Sequence, residues 1–302
     1  MNNTIAFFKL IRWKNLAFLV LGQFLVKYYL DKFISNPAFD TISFALLVFS
    51  TLCIAAAGYI INDVYDLDVD NINKPARIII NKSISEKTTS NLYVILSVLG
   101  LGTGYYLSVR IGNENLFSLF LISSVLLYFY SIILKKVFLI GNLVIALLIG
   151  FSLMLVAVFD LYEVFQTKNI DFTVPSAIFK TMLYYAGFAS FLNLIREIIK
   201  DIEDYEGDKQ MGYKTMVVAL GISISKMFIL ILNIILIVVL VYLTYVVFST
   251  NNTILFYLFG LIILSIYLFF RIIESQEKAD FSNLSLLLKL IMLYGLFAIV
   301  LL

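Results

Sequence analysis

The sequence predicts an all-α, polytopic membrane protein of about nine transmembrane helices. Three observations predict it. Hydrophobic residues make up 62% of the 302 positions and charged residues only 14%, where soluble domains carry roughly 25% charged residues. Apolar segments long enough to cross a bilayer recur along the whole chain. Backbone groups in lipid must bond internally, and these segments are too long for barrel strands, so each is read as a helix.

In chain order the spans fall at about 13–33, 39–61, 91–109, 116–134, 138–159, 176–199, 222–248, 253–273 and 284–302. The first holds Lys27, and the last runs to residue 302. Lys9, Arg12 and Lys14 ahead of Leu16–Val26 have the look of a secretion signal. The run continues into Lys27-Tyr28-Tyr29-Leu30 with no small-residue cleavage site, so it is read as a retained first helix. The external 160–175 loop is mixed in charge. No soluble domain interrupts the spans, and residues 1–302 are read as a single membrane domain.

Lysine and arginine set the orientation. With nine spans and the N-terminus inside, five of the 22 basic residues lie outside: Lys27, Lys32, Arg110, Lys168 and Lys180. The other seventeen lie on the cytoplasmic side. The expected location is the cell (plasma) membrane, with the N-terminus and the active-site loops cytoplasmic.

Composition also removes whole classes of chemistry. There is no histidine, which excludes imidazole catalysis and histidine-ligated metals. The single cysteine, Cys53, lies in an apolar run and permits neither an intramolecular disulfide nor a cysteine zinc site. A net charge of +2 argues against nucleic acid as a partner. No glycine-rich phosphate loop appears, and no obligate protein partner is evident.

What remains is concentrated in two acidic stretches. Asn62-Asp63-Val64-Tyr65-Asp66-Leu67-Asp68-Val69-Asp70 follows the second apolar run. On a helix continuing from that run, Asp63, Asp66 and Asp70 share one face. Asp201, Asp204 and Asp208 repeat the spacing after the sixth run, and Glu197 extends that face one turn back. Like charges on one face repel. A divalent cation reverses the sign, because hard Mg²⁺ takes oxygen ligands and commonly binds carboxylates together with substrate phosphate. Both clusters fall on the cytoplasmic side, as two halves of one site require.

Basic residues stand beside them. Lys74-Pro75-Ala76-Arg77 follows the first cluster, and Pro75 breaks any helix there. Lys135 and Lys136 end the fourth span, Arg196 precedes Glu197, and Arg12 and Asn15 stand where the first span enters. Such cations can pair with carboxylates, hold phosphate oxygens or anchor the helix ends. Carboxylates for Mg²⁺, cations for phosphate and a greasy surround together describe a site for a prenyl diphosphate. Water exclusion would protect an allylic cation.

The two motifs resemble those of the UbiA superfamily of intramembrane prenyltransferases. Asn62-Asp63-x-x-Asp66-x-x-x-Asp70 matches its first motif, NDxxDxxxD. Asp204-x-x-x-Asp208, within Asp201-Ile202-Glu203-Asp204-Tyr205-Glu206-Gly207-Asp208, matches its second, DxxxD. Between them, Tyr130-x-x-x-x-Lys135 followed by Gly141-Asn142 resembles a third shared stretch. The resemblance implies a nine-helix bundle with the two motifs facing across a central cavity. It implies Mg²⁺ ligation by Asn62, Asp66, Asp70, Asp204 and Asp208, the aspartates being the catalytic set. Asp63 and Asp201 belong to the same acidic faces and are counted with the metal ligands. Lys74, Arg77 and Lys135 are implied diphosphate contacts, and Arg12 and Arg196 are candidates for the same role. Asp68 and Glu206 are read as solvated charges.

The run from Arg196 to Thr215 is most similar to the branch of the superfamily that makes archaeal-type ether lipids. That likeness implies Mg²⁺-dependent transfer of a prenyl group from geranylgeranyl diphosphate to the hydroxyl of a prenylglyceryl phosphate, a lipid-soluble acceptor. An aromatic quinone precursor is the alternative acceptor. A cation-coupled transporter is a reading from another class, disfavoured because transport places acids at the membrane midplane.

Overall fold

The computed structural model describes residues 3–33, 39–166, 172–247 and 252–301. Lys168 of the predicted external loop lies outside the described residues, as do the predicted span ends at 248 and 302. The described elements are helices, α or short 3₁₀, and they group into two compact units. Unit one is residues 1–135 and 147–187; unit two is residues 136–146 and 188–302.

Unit one is built on α3 (Thr41–Tyr65). Asp40 caps it, its side chain accepting from the Ser43 N–H at 2.8 Å. That bond holds the Asp40 carboxyl below the usual carboxylate range, helped by Arg110. Helix α3 packs against α2 (Trp13–Asp31), α5 (Glu86–Arg110) and α6 (Phe117–Ile132). The approach of α5 is close because Gly100 and Gly104 lack side chains. A Cβ at Gly100 would lie 2.8 Å from Ile54 Cγ1, and one at Gly104 would lie 2.7 Å from the Phe120 ring. Small residues four apart let membrane helices touch backbone to backbone, and here Ser50 Oγ donates to the Gly100 carbonyl at 2.7 Å. Ahead of α2, α1 (Asn3–Leu10) buries Ala6 and Leu10 with Ile60, Ile79 and Ile80.

Eight helices among the described residues are long and apolar enough to cross a membrane. The first predicted span is not one of them. It forms a 19-residue helix, α2, but Lys14, Asn15, Gln23 and Lys27 dilute its apolar content. Its polar groups are satisfied within unit one instead. Buried Gln23 donates to the Ser152 carbonyl at 3.1 Å and accepts from Thr51. Lys27 pairs at 2.9 Å with Asp160, which is 0% exposed and lies on α7 (Ile140–Gln166). Intramembrane charges persist when paired in this way.

Helices α7 and α8 (Thr173–Glu203) each contribute to both units. Unit two otherwise holds α9 (Tyr205–Gln210), α10 (Met216–Leu220), α11 (Ile222–Val247), α12 (Asn252–Glu274) and α13 (Lys278–Leu301). Helices α11 and α12 pack together, as do α12 and α13. Tyr257 and Tyr294 stack at 4.1 Å across the second pair. Lys226 closes the end of α12 by donating to the Ser275 carbonyl at 2.6 Å. Large apolar side chains such as Val98, Tyr245 and Phe256 face outward, the surface that a lipid-embedded helix presents.

Candidate active site

Both acidic motifs lie where a membrane-spanning helix bends. The sequence expectation was a helix continuing through each motif. Instead α3 ends at Tyr65, and the short helix α4 (Leu67–Asn73) restarts after Asp66. Asp66 has φ −96° and ψ 0°. In unit two α8 ends at Glu203, α9 restarts after Asp204, and Asp204 has φ −100° and ψ 5°. This sparsely populated backbone region is where many active-site residues sit. Bonds of helical spacing persist on both sides: Asp66 N–H to the Asn62 carbonyl and Asp70 N–H to the Asp66 carbonyl, then Asp204 to Lys200 and Asp208 to Asp204.

In unit one, each of the first two aspartates has a cation. Asp63 Oδ1 accepts from Arg12 at 2.6 Å, and the Arg12 guanidinium lies 5.0 Å from the Tyr59 ring centroid. Arg12 itself has a left-handed backbone, φ 51°, at the start of α2. Asp66 Oδ1 accepts from Lys135 at 2.5 Å, and Asp66 Oδ2 accepts from Asn62 Nδ2 at 2.6 Å. Asp70 lies on α4, and its carbonyl accepts the Lys74 N–H at 2.8 Å. Helix α4 ends at Asn73, before the helix-breaking Pro75, and Pro75–Arg77 form a 3₁₀ turn. Lys82, which sequence reasoning passed over, ties that turn by donating to the Pro75 carbonyl at 2.8 Å. Arg77 and Asp68 are exposed.

In unit two, Asp201 accepts from Asn142 Nδ2 at 2.8 Å. Buried Glu197 takes Arg196 at 3.0 Å and Lys200 at 2.9 Å. Asp208 is buried, and its carbonyl accepts the Tyr213 N–H at 2.9 Å. Glu206 is exposed. Asn142 is absent from the predicted site residues, although Gly141-Asn142 belongs to the third stretch that resembles the family.

Lys135 and Lys136 also differ from expectation. The helix before them ends at Ile132, and Leu134–Lys136 form a 3₁₀ turn. Lys136 belongs to unit two, where its ammonium lies 5.1 Å from the Tyr213 ring centroid and its carbonyl accepts the Lys214 N–H at 2.8 Å.

Among the described residues, no three acidic or thiol side chains converge on a point that could hold a metal. Arg12 and Lys135 already neutralise the carboxylates of Asp63 and Asp66. The donor set nonetheless suits Mg²⁺. It is all oxygen, and a cation, the Lys135 ammonium, already rests against Asp66 Oδ1 and, at 3.5 Å, Asn62 Oδ1.

Residues 33–291 match the UbiA prenyltransferase family. The chain belongs to that family. Family membership covers parts of both units, and with it the helical membrane fold. Digeranylgeranylglyceryl phosphate synthase of Sulfolobus acidocaldarius is 36% identical over 170 residues, 56% of this chain and 54% of that one. The enzyme of the same name from Saccharolobus solfataricus is 35% identical over 190 residues, 60% of each chain. The chain thus spans less than two thirds of these relatives' length. A structure from work on the biosynthesis of digeranylgeranylglyceryl phosphate synthase in membranes superposes with a TM-score of 0.66 at 25% identity, over 99% of this chain and 98% of that one. A UbiA homologue from Archaeoglobus fulgidus, bound to GPP and Mg²⁺, superposes with a TM-score of 0.61 at 18% identity, over 98% of this chain and 99% of that one. The latter likeness speaks to the fold alone.

Proposed function

We propose that this family member transfers a geranylgeranyl group from its diphosphate to the hydroxyl of a prenylglyceryl phosphate, with Mg²⁺, in ether-lipid synthesis. The observation that carries the acceptor is the similarity to digeranylgeranylglyceryl phosphate synthases at 35–36% identity. What supports the chemistry is the repeated Asp-x-x-Asp-x-x-x-Asp pattern, each copy on a bent helix with cations beside it.

In this reading Asn62, Asp66 and Asp70 are the metal ligands of the first motif and Asp204 and Asp208 those of the second, and metal when bound neutralises charge on the leaving diphosphate. Asp63 and Asp201 act chiefly by fixing Arg12 and Asn142. Lys74, Arg77, Lys135 and Arg196 take phosphate oxygens. Arg196 is suited to that because its buried Nε has no hydrogen-bond partner among the described residues. The C1–O bond of the prenyl diphosphate breaks, and its electron pair leaves with the diphosphate. The acceptor oxygen bonds C1 and loses its proton. Apolar helices keep water from the allylic cation. The same reading places the protein in the cell membrane with its N-terminus and both motifs cytoplasmic.

The test offers purified protein geranylgeranyl diphosphate with prenylglyceryl phosphate and with 4-hydroxybenzoate, and identifies the extracted product by mass spectrometry. The expected product is the doubly prenylated glyceryl phosphate. A prenylated aromatic product alone would overturn the acceptor assignment.

A further inference from the structure

Both carboxylate oxygens of Asp66 are engaged within unit one. Oδ1 accepts from the Lys135 ammonium at 2.5 Å, and Oδ2 accepts from the Asn62 amide at 2.6 Å. The pair is sheltered: the side chains of Lys135 and Asp66 are 8% and 17% exposed. A charge-assisted bond of this length, shielded from water, is among the stronger side-chain contacts. Each oxygen keeps a second lone pair, but a metal coming to Asp66 would stand close to the Lys135 ammonium and be repelled by its charge for as long as that ammonium stays in place.

We infer that Lys135 is the resident counter-ion of Asp66, and that the metal and the diphosphate enter together by exchange. The metal takes the Asp66 oxygen, and the displaced ammonium passes to the incoming phosphate. This inference rests on the Mg²⁺-dependent reading given above. Two features of the chain carry it. Lys135 stands on a 3₁₀ turn and not inside an α-helix, and its four-carbon stem can swing a point charge between partners. An ammonium left sheltered without an anion is costly, so metal alone displaces it poorly, whereas metal with diphosphate supplies the replacement anion. Arg12 on Asp63 differs. Its guanidinium is a planar fork that also lies by the Tyr59 ring, and it stays in place.

The test measures Mn²⁺ binding to purified protein by electron paramagnetic resonance, with no diphosphate present. Wild type is compared with Lys135→Gln, Lys135→Arg and Asp66→Asn, each checked for native helicity and monodispersity. Lys135→Gln is expected to bind Mn²⁺ about tenfold more tightly than wild type, since the competing charge is gone. Lys135→Arg, which keeps the charge, should bind no more tightly than wild type, and Asp66→Asn should bind more weakly than Lys135→Gln. Equal affinity in wild type and Lys135→Gln would overturn the exchange while leaving the metal site standing. No binding in any variant would overturn both.

Discussion

The side-chain amide of Asn142 donates to Asp201 Oδ2 at 2.8 Å, joining the start of α7 to the second acidic motif within unit two. Asp201 occupies the same place in its motif as Asp63 does in the first, and each is held by a residue distant in sequence. The expected result of Asn142→Ala is a loss of about 1–3 kcal/mol, because a sheltered acceptor loses its donor. Asn142→Asp should cost more, since it sets two carboxylates together. Thermal unfolding in detergent checks both. An Asn142→Asp protein as stable as wild type would contradict the positioning role.

Asp66 and Asp68 provide a contrast two residues apart. Asp66 lies at the bend with both oxygens bonded, whereas Asp68 is exposed on α4. Asp66→Asn should lower kcat/KM at least about 100-fold while the protein stays folded, as removing a metal ligand does more than removing its supporting contacts. Asp68→Asn should stay within about twofold of wild type, since isolated exposed charges contribute little. Steady-state kinetics on both decide it.

Lys135→Ala removes a charge-assisted contact worth roughly 1.5–3 kcal/mol, a 10- to 150-fold deficit in kcat/KM for the prenyl diphosphate. Lys136→Ala should cost less than about fivefold. Its ammonium lies against the Tyr213 ring, and its hydrogen bond to Lys214 is made by the backbone and survives the change. Equal deficits at the two positions would remove Lys135 from the substrate contacts.

The spans and both motifs were legible because hydrophobic length and carboxylate spacing are local properties. The bends at Asp66 and Asp204 were not. No glycine or proline stands between Asn62 and Asn73, so the usual breaker signals are silent at Asp66; in the second motif the glycine, Gly207, falls three residues past Asp204. The partners Arg12, Lys135 and Asn142 lie 51, 69 and 59 residues from the aspartates they hold, and periodicity carries no information at that range. The first span forms as a helix, and the partners of its polar residues were hidden for a similar reason. Lys27 stands out in the apolar run, and Asp160 pairs with it from far along the chain, as Thr51 and Ser152 do with Gln23.

Sidedness follows from the proposed orientation. In a Cys53→Ser background, Arg77→Cys should resist an impermeant thiol reagent in intact cells, and Asn115→Cys in the turn before α6 should react. Both positions are exposed and Cys53 is buried, so accessibility reports the membrane face. The reverse labelling pattern would invert the topology.

The central claim is that the two acidic motifs together support metal-dependent prenyl transfer. The most direct measurement follows pyrophosphate release and prenyl ether formation from geranylgeranyl diphosphate and prenylglyceryl phosphate. It uses purified wild type, Asp66→Asn and Asp208→Asn, with Mg²⁺ and with excess EDTA. The account predicts equimolar pyrophosphate and ether from wild type with Mg²⁺, with near-complete loss in EDTA and in each variant. Full turnover in EDTA, or in either variant, would contradict it.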